Sequence, residues 1–441
     1  MYMKYKNYIP FIIIVFLFSC ITASAQENKI LTLNEAIELG IKNSKQLRLS
    51  QARIDEAVAA TKQATEARLP DASISGSYLR LTEPHISIKG AGGDTTGGFA
   101  APPITQALYG SANVSLPIYA GSKIKYGIES AKYLEQATRL DAEQDKEAVM
   151  LNTIAAYINL YKANVAVDVV QKNIVQSRLQ DSNFSSLEKN GLLPRNDLLR
   201  SQLQTSNFEL ALVDAESAVK LATVNMNILL GLPETTMLLV DSSSITNPLE
   251  LKTIEEYEQL ASVNRNDVRS LNYQQKSADA AIKVAKGDYY PSVALTGGYI
   301  AADIPDFLTV TNAVTLGVGV KYDIGSLWKT KSKVQQAQAR EQQVQASRDI
   351  LTDNIHRSIN QAYESYLSDT KKIEVNAKAV EQANENYRIS KNKYDNSLLL
   401  LTDLLDANLQ QLRANLQLKT SRADAVLDYY TLQQTAGLLK Q

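Results

Sequence analysis

Cysteine and histidine are almost absent from this 441-residue chain, which contains one cysteine, Cys20, and two histidines, His85 and His356. So few of these residues provide neither a disulfide framework nor a histidine cluster that could bind a metal ion. The glycine-rich stretch at 90–98 also lacks the Lys-Ser/Thr pair of a phosphate-binding loop. We therefore expect a protein that is not an enzyme, with no catalytic residues, no cofactor and no metal.

Long apolar runs are also scarce, and the one near the N-terminus is short. Lys4 and Lys6, the apolar stretch 9–18 and the small residues 23–25 predict an export signal at 1–25 that is cleaved off. The alternative is a lipoprotein box at 17–20, with acylation of Cys20. No later stretch is apolar over the roughly 18 residues that a transmembrane helix needs, so a membrane-inserted chain would have to enter as strands.

The charge balance argues against a nucleic-acid partner. The formal net charge at pH 7 is -1, which is close to neutral for a chain of this length. Tyrosine outnumbers phenylalanine by 22 to 7. Tyrosine suits surfaces that are half apolar and half wet, so this composition does not favour a large dry core.

The chain contains two copies of one structural unit. The segment Thr32–Tyr78 aligns with Thr253–Tyr299 at a constant offset, and Ala156–Gly231 aligns with Ala362–Gly437 at another. Matches that hold one register over such spans indicate an internal duplication. The predicted parts are a first repeat at 26–231, an inter-repeat (equatorial) connector at 232–249 and a second repeat at 250–441.

Each repeat is predicted to run helix, strand, strand, long helix, helix. Thr32 with Glu35, and Thr253 with Glu256, have the spacing of a capping box, and a proline ends each first helix. The first repeat is predicted to contain a helix at 33–68, strands at 71–82 and 108–119, and helices at 122–188 and 196–230. The second is predicted to contain a helix at 254–287, strands at 291–302 and 312–323, and helices at 326–394 and 402–437.

The segments after each proline alternate between apolar and small or polar residues. In the clearest case Val314, Leu316, Val318 and Val320 share one face of a predicted strand. Strands of about ten residues can cross a bilayer when tilted, although a soluble half-buried sheet produces the same alternation. Aromatic side chains at the strand ends favour the membrane, because such rings suit the membrane–water boundary. The candidate interface residues are Tyr119, Tyr289, Tyr290, Tyr322 and Trp328.

A seven-residue apolar spacing runs along the long helix of each repeat. Such a spacing indicates a supercoiled helix–helix seam of the coiled-coil type. Its members are Ile359, Tyr366, Ile373, Val380, Tyr387 and Tyr394 in the second repeat, and Leu160, Val167 and Ile174 in the first.

Four predicted strands are too few to close a barrel. Their open edges could not face lipid, because the unpaired N–H and C=O groups would be costly there. Several chains must then share one barrel, and the glycine- and serine-rich inner faces favour a trimeric 12-stranded barrel with room for water over an eight-stranded dimer. The predicted fold is mostly α with a transmembrane β part, in which an α-helical barrel continues the β-barrel.

Several short stretches carry a family resemblance. They are Leu-Thr-Leu-Asn-Glu-Ala-Ile at 31–37, Ala-Arg-Leu-Pro at 67–70, Asn-Arg-Asn-Asp-Val at 264–268, Tyr-Tyr-Pro at 289–291 and Thr-Asp-Leu-Leu-Asp-Ala at 402–407. Together with the duplication, they resemble the TolC-like outer membrane efflux protein family over nearly the whole chain after the signal. The chain departs from the family pattern at Asn43-Ser44, where Asn-Pro is usual, at Ser397, where a tip glycine is usual, and in its short end after Gly437.

The resemblance implies a homotrimeric channel in the bacterial outer membrane that extends into the periplasm. It also implies docking onto a periplasmic adaptor (membrane fusion) protein and an inner-membrane RND or ABC transporter, in a tripartite efflux or type I secretion system. The transporter would supply the energy, and this chain would be a passive exit duct. A soluble periplasmic coiled-coil scaffold, or the adaptor itself, is the alternative hypothesis.

Four residues near one predicted hairpin tip are candidates for the channel constriction: Asp403, Asp406, Tyr394 and Tyr387. By resemblance the two aspartates match the family's inner constriction, and the two tyrosines would hold the closed tip. The two aspartates share a helix face, and in a trimer they would form a carboxylate ring that attracts cations. Asp403 corresponds to Asp197 in the first repeat, so it is also explained as an acid favoured at a helix start. Asp406 corresponds to Arg200 and has no such explanation, whereas seam packing also explains the tyrosines.

Leucine-rich stretches at both predicted hairpin tips are candidate docking sites for the adaptor. Exposed apolar clusters usually mark a contact surface, although burial within a closed tip is the alternative. The residues are Leu192, Leu193 and Pro194 in the first repeat, and Leu398, Leu399 and Leu400 in the second.

Overall fold

The structure, a computed structural model, describes residues 29–82, 104–241, 245 and 251–440. The predicted export signal with Cys20, His85 with the glycine-rich stretch 90–98, and part of the predicted connector lie outside these residues. The chain forms two compact units. The first consists of Met1–Leu49, Glu143–Arg265 and Asp353–Gln441, and the second of Ser50–Ala142 and Asn266–Thr352.

Most of the described residues are helical. In chain order the elements are β1 (Lys29–Leu31), α1 (Leu33–Asn43), α2 (Lys45–Glu66), β2 (Asp71–Arg80), β3 (Gln106–Ala120), α3 (Lys123–Lys189), α4 (Arg195–Leu230), β4 (Leu238–Val240), α5 (Ile254–Asn264), α6 (Asn266–Lys286), β5 (Ser292–Ile304), β6 (Leu308–Lys321), α7 (Ser326–Asp395) and α8 (Leu401–Thr435). None of the described helices is long and apolar enough to cross a membrane.

The first helix of each repeat is interrupted, so the single helices predicted at 33–68 and 254–287 are wrong at one point each. Ser44 has extended backbone angles, φ -60° and ψ 122°, and Arg265 has φ -62° and ψ 127°. An extended residue cannot continue the helical hydrogen-bond ladder, so α1 and α5 end there. The Ser44 hydroxyl then accepts a hydrogen bond from the Leu47 N–H at 3.2 Å and caps α2.

Each interruption is hydrogen-bonded to the C-terminal end of the last helix in the same repeat. The Asn43 side-chain amide donates to the Leu230 carbonyl at 2.6 Å, and the Arg265 guanidinium donates to the Thr435 carbonyl at 2.7 Å. These bonds satisfy carbonyls that α4 and α8 leave unpaired at their ends. Gly231 lies against Asn43 with φ 67°, and a Cβ there would come within 2.8 Å of the Asn43 Cβ.

The core of the first unit surrounds the middle of α3. Ile154, Tyr157 and Leu160 are fully buried there among apolar residues of α1 and α4. The Tyr157 hydroxyl lies 2.8 Å from the Asp241 carbonyl oxygen and 3.1 Å from that of Leu31. These carbonyls follow β4 and end β1, which pair as a short parallel sheet that the sequence analysis missed.

The seven-residue rows on α3 and α7 are buried most deeply inside the first unit. Ile359 and Tyr366 are buried on α7, as are Leu160 and Ile174 on α3. The remaining members of both rows are half-buried. The predicted seam is therefore at least half-buried at every position, and on α7 its most deeply buried part is the beginning of the row.

The second unit contains an antiparallel sheet in the order β2-β3-β5-β6. Its strands have 10, 15, 13 and 14 residues. In the described part of the chain, the outer strands β2 and β6 each pair with a neighbour on one side only. The sheet therefore has two edges whose outward backbone groups can pair with another strand.

The two faces of this sheet differ in chemistry. Pairing places Ile74 beside Ala112, Ala112 beside Tyr299, and Tyr299 beside Val314, so these apolar side chains form one row. Ile74 is 90% exposed and Leu316, in the adjacent row, is 86% exposed. The opposite face carries small polar groups, among them the hydroxyls of Ser75 and Ser111, which lie 2.8 Å apart. The apolar face of the sheet is therefore exposed.

The second hairpin is longer than the strands predicted at 291–302 and 312–323. Strand β5 continues to Ile304 and β6 already begins at Leu308. Strand β6 contains a bulge at Asn312, which has φ 59°. At this point two residues of β6 lie opposite a single residue of β5, Ala301. An extra residue shifts the alternation between the faces, and this hid the first part of β6 from a period-two pattern.

The strand–helix junctions of the second unit meet through two glycines. Gly121 ends β3 with φ 62°, and a Cβ on it would lie 2.2 Å from the Gly287 carbonyl oxygen, so the two backbones are in direct contact. Asp288 accepts from the Lys123 ammonium at 2.9 Å and from the Lys333 ammonium at 2.6 Å. This carboxylate therefore joins the starts of α3 and α7 beside the α6–β5 turn.

Candidate functional site

The candidate site lies in the first unit, where the two helical hairpins α3–α4 and α7–α8 turn. In the first tip, Gly191 adopts the left-handed conformation with φ 69°. Its N–H donates to the Glu188 carbonyl at 2.9 Å, and the Leu192 N–H donates to the Leu187 carbonyl at 2.9 Å. This pair of bonds is a Schellman motif, which satisfies carbonyls at the end of α3 and reverses the chain.

The second tip repeats this turn with a serine. Ser397 has φ 62°, its N–H donates to the Tyr394 carbonyl at 2.9 Å, and the Leu398 N–H donates to the Lys393 carbonyl at 2.8 Å. The tip therefore keeps the Schellman geometry even though the usual glycine is absent. The serine at position 397, where glycine is usual in the family that the sequence resembles, therefore adds backbone strain to the turn but does not change its geometry.

A small apolar cluster fills the space between the two tips. Phe184 of α3, Leu198 of α4 and Leu401 of α8 are buried, and Tyr394 packs against them. The Phe184 and Tyr394 rings lie 5.4 Å apart between centroids. Burial raises the pKa of the Tyr394 phenol above 10.0, and the carboxylates of Asp197 and Asp395 add to the shift. Tyr394 therefore packs against this cluster as a neutral phenol.

Tyr387 lies near the same cluster, about two turns earlier on α7. Its hydroxyl accepts a short hydrogen bond from the side-chain amide of Gln176 on α3. Both residues line a groove of about 890 Å³ between the hairpins, together with Phe184, Leu193 and Leu399. Polar and apolar side chains both line this groove, which lies beside the buried cluster.

Asp403 and Asp406 lie on the solvent side of the first two turns of α8. Both are exposed, while Leu404 and Ala407 between and beside them are buried. Asp406 accepts a hydrogen bond from the Gln410 amide at 2.6 Å, one turn further along the helix. The two carboxylates share a face but do not contact Tyr387 or Tyr394 in any hydrogen bond of the described residues. The fold thus presents them together on an accessible surface.

The predicted tip leucines divide into exposed and half-buried positions. Leu192, Leu398 and Leu400 are 73%, 75% and 70% exposed. Leu193 and Leu399 are half-buried and line the groove, and Pro194 is exposed at the start of α4. Leu192 and Leu398 occupy equivalent positions in the two repeats, so both tips present an outward leucine directly after the left-handed residue.

A buried polar cluster that the sequence analysis missed joins α3 to α4 just behind the first tip. The Asp181 carboxylate accepts from the Ser201 hydroxyl at 2.5 Å and from the Thr205 hydroxyl at 2.6 Å. The Ser177 hydroxyl lies 2.6 Å from that of Thr205. The sequence contains a signal for this cluster, because Ser177 and Asp181 on α3, and Ser201 and Thr205 on α4, are each four residues apart and so share a helix face. The second hairpin has no equivalent, because alanine and tyrosine replace Ser201 and Asp181 there.

The five aromatic residues predicted for a membrane interface all belong to the second unit, around the strand–helix junctions. Four of them are exposed: Tyr119, Tyr290, Tyr322 and Trp328. Tyr289 is half-buried in the short turn before β5. Strand register brings Ala120, Ser292 and Lys321 side by side, so these aromatic residues border one end of the sheet.

Comparison with known proteins shows which family the second repeat resembles. Residues 258–438 match a family described as "Outer membrane efflux protein". This match confirms the resemblance to outer membrane efflux proteins. The predicted location in the bacterial outer membrane, with an extension into the periplasm, agrees with it.

One curated relative matches the chain over part of its length. The outer membrane efflux protein BepC of Brucella suis biovar 1 (strain 1330) is 21% identical over 252 residues, which cover 56% of this chain and 54% of BepC. The chain therefore matches about half the length of that curated relative.

Three solved structures share the fold of this chain. CusC has a TM-score of 0.78 at 15% identity, covering 95% of this chain and 96% of its own. The outer-membrane channel OprN has a TM-score of 0.76 at 18% identity, covering 92% and 89%. VceC from Vibrio cholerae has a TM-score of 0.74 at 18% identity, covering 92% and 96%. At these identities the similarity establishes the architecture.

Proposed function

We propose that this chain is the channel subunit of an outer-membrane efflux or type I secretion system and acts as a homotrimer. One observation carries the proposal: the sheet has bilayer-length strands, an exposed apolar face, and edge strands β2 and β6 that pair on one side only in the described residues. In a bilayer such edges need partners. Three copies that pair β2 of one subunit with β6 of the next would form a 12-stranded barrel, continued by an α-helical barrel.

The proposed channel conducts without chemistry of its own. An inner-membrane RND or ABC transporter would supply the energy, and a periplasmic adaptor protein would connect it to this chain. The name of BepC, an efflux protein, supports an export role. The exposed leucines at the hairpin tips, Leu192 and Leu398, support docking of the adaptor there, because the tips present apolar groups that water solvates poorly.

The proposed constriction is formed by the Asp403 and Asp406 carboxylates of three subunits. Their exposure on one face of α8 supports this role, since a ring of accessible carboxylates favours cations. Tyr387 and Tyr394 would hold the closed arrangement of the tips through the Gln176 hydrogen bond and the Phe184 contact. The exposed aromatic residues around the sheet end would lie at the membrane–water boundary.

Cysteine crosslinking of the sheet edges tests the proposal. Ser75→Cys in β2 would be combined in turn with a cysteine at Ala313, Thr315 or Gly317 in β6, and oxidised in outer-membrane preparations. We expect at least one pair to produce a ladder that ends at a covalent trimer. Single variants are the matched controls and should remain monomeric in denaturing gels.

The crosslinking also discriminates between the hypotheses. A ladder that continues beyond three subunits would contradict a closed trimer. A water-soluble monomer with no crosslink in any pair would overturn the channel and favour the soluble scaffold or adaptor.

A further inference from the structure

An exposed apolar stretch leads from the last strand into the start of α7. Ile324, Leu327 and Trp328 are 63%, 54% and 65% exposed. They continue the exposed apolar side of β6, where Val318 and Val320 are 63% and 69% exposed. Side chains of this kind are poorly solvated, so an apolar neighbour that covers them would stabilise the surface.

Lysines follow this apolar stretch immediately. Lys329, Lys331 and Lys333 lie on the first two turns of α7, and the first turn contains no acidic residue. Acidic residues normally occupy this position, because the N-terminus of a helix is electropositive. Three lysines there raise the local positive potential, which departs from the usual pattern of helix starts.

The protein neutralises only one of these lysines. Lys333 donates to Asp288 at 2.6 Å, and Asp288 is already shared with Lys123. The nearest acid before the helix, Asp323, accepts from the Gly325 N–H at 3.0 Å and thereby holds the turn. In the described part of the chain, Lys329 and Lys331 have no ion-pair partner. Their charges therefore remain available to an external anion.

The equivalent segment of the first repeat carries only part of this combination. Its first turn also lacks an acid, and Lys125 is exposed, but Lys123 and Ile124 after Gly121-Ser122 are half-buried and Glu129 follows in the second turn. Lys123 is held by Asp288. The second repeat thus differs in two respects: the exposed Leu327 and Trp328 directly precede its lysines, and two of those lysines have no ion-pair partner among the described residues.

We propose that the segment 324–333, here called the α7 anchor, binds the anionic headgroups of a phospholipid leaflet. Leu327 and Trp328 would enter the boundary between headgroups and acyl chains, and Lys329 and Lys331 would contact lipid phosphates. This chemistry fits both halves of the segment, because lysines beside an apolar anchor favour anionic lipid. The inference rests on the proposed membrane location of the sheet and adds a preference among lipids.

The chain provides its own reporter for this contact. Trp328 is the only tryptophan of the protein, so its fluorescence reports on the α7 anchor alone. The full-length channel would be reconstituted in phosphatidylcholine bilayers that contain a fixed fraction of brominated phosphatidylglycerol or, in a parallel sample, brominated phosphatidylcholine. Bromine quenches the fluorescence of a contacting tryptophan, so the two samples compare binding of the anionic and zwitterionic lipids.

We expect brominated phosphatidylglycerol to quench Trp328 more strongly, with an apparent preference of up to roughly thirtyfold, because each of two lysines near an anionic membrane surface contributes about 1 kcal/mol. The double variant Lys329→Gln and Lys331→Gln should lose this preference, and Lys329→Arg with Lys331→Arg should retain it. The matched control is Lys391→Gln with Lys393→Gln, which removes two lysines at the same spacing from the second hairpin tip and should leave the preference unchanged.

The remaining outcomes separate the inference from the proposed function. Equal quenching by the two brominated lipids would overturn the preference for anionic headgroups while leaving the membrane location intact. Absence of quenching by either lipid would overturn the α7 anchor and, with it, the proposed location of this end of the sheet in a bilayer.

Discussion

Ser397 occupies the same left-handed backbone position in the second hairpin tip that Gly191 occupies in the first. Their φ angles are 62° and 69°, and each residue makes the first of two Schellman hydrogen bonds. Glycine adopts this conformation freely, whereas the serine Cβ crowds the backbone. The two tips therefore have one geometry, and the second maintains it at a cost in conformational energy.

Ser397→Gly is expected to stabilise the protein by roughly 0.5–1 kcal/mol, because it relieves the crowding of a left-handed residue. Gly191→Ser is the matched reverse change and should destabilise by about 1 kcal/mol. No neighbouring atom lies within 4 Å of a Cβ at Gly191, so its effect would come from the backbone alone. Denaturant unfolding followed by circular dichroism would measure both. Destabilisation by Ser397→Gly would contradict the strain argument.

Asp428 on α8 is expected to make stability depend on pH. Burial raises its pKa from 3.8 to about 6, and the neighbouring carboxyl of Asp369 adds to the shift while Lys372 opposes it. Because the folded pKa lies above the unfolded one, this contribution is fully present below pH 3.8 and is lost as pH rises through about 6. Asp428→Asn should therefore be more stable than the wild type at pH 7–8.

Thermal unfolding at a series of pH values would measure this difference. The stabilisation by Asp428→Asn should shrink as pH falls from 7 to 5, since the wild-type carboxyl becomes protonated over that range. Asp214→Asn changes an exposed aspartate of α4 and is the control for loss of a charge. A constant difference between Asp428→Asn and the wild type across these pH values would refute the assignment.

The proposed constriction predicts a change in ion selectivity. Asp406→Asn should lower the cation-to-anion permeability ratio of the reconstituted channel by roughly twofold or more, because it removes three carboxylates from a narrow ring. Reversal potentials in a salt gradient would measure the ratio. Asp197→Asn changes the equivalent of Asp403 in the first repeat and is the matched control. An unchanged ratio in the double variant Asp403→Asn and Asp406→Asn would exclude the ring.

The exposed tip leucines predict separable effects on docking and folding. Leu398→Asp places a charge on a side chain that is 75% exposed, so trimer stability should be unaffected while adaptor binding and efflux are lost. Leu192→Asp should act in the same way at the first tip. Leu399→Asp is a poorer test, because Leu399 is half-buried in the groove and its change also disturbs packing. Co-purification of the adaptor and export of the transported substrate from cells are the measurements. Normal values in the double variant Leu192→Asp and Leu398→Asp would argue against docking at the tips.

The sequence determined the features that depend on local periodicity. Pro70 and Pro291 mark the changes from helical to period-two patterns, since proline cannot continue a helix and strand side chains alternate. The capping threonines act at both repeat starts, where Thr32 and Thr253 each accept from a backbone N–H at 3.3 Å. The order of elements followed from such signals because each of them acts over a few residues.

Tertiary structure decided what depends on residues distant in sequence. The helix breaks at Ser44 and Arg265 are held in part by α4 and α8, whose terminal carbonyls lie 187 and 170 positions further along the chain from the side chains that bind them. Strand β1 pairs with β4, which lies far along the chain from it, and the fully buried Tyr157 places its hydroxyl beside the carbonyls of Leu31 and Asp241 at this sheet. A local pattern cannot encode such contacts, because their free energy is gained only once the helices have packed.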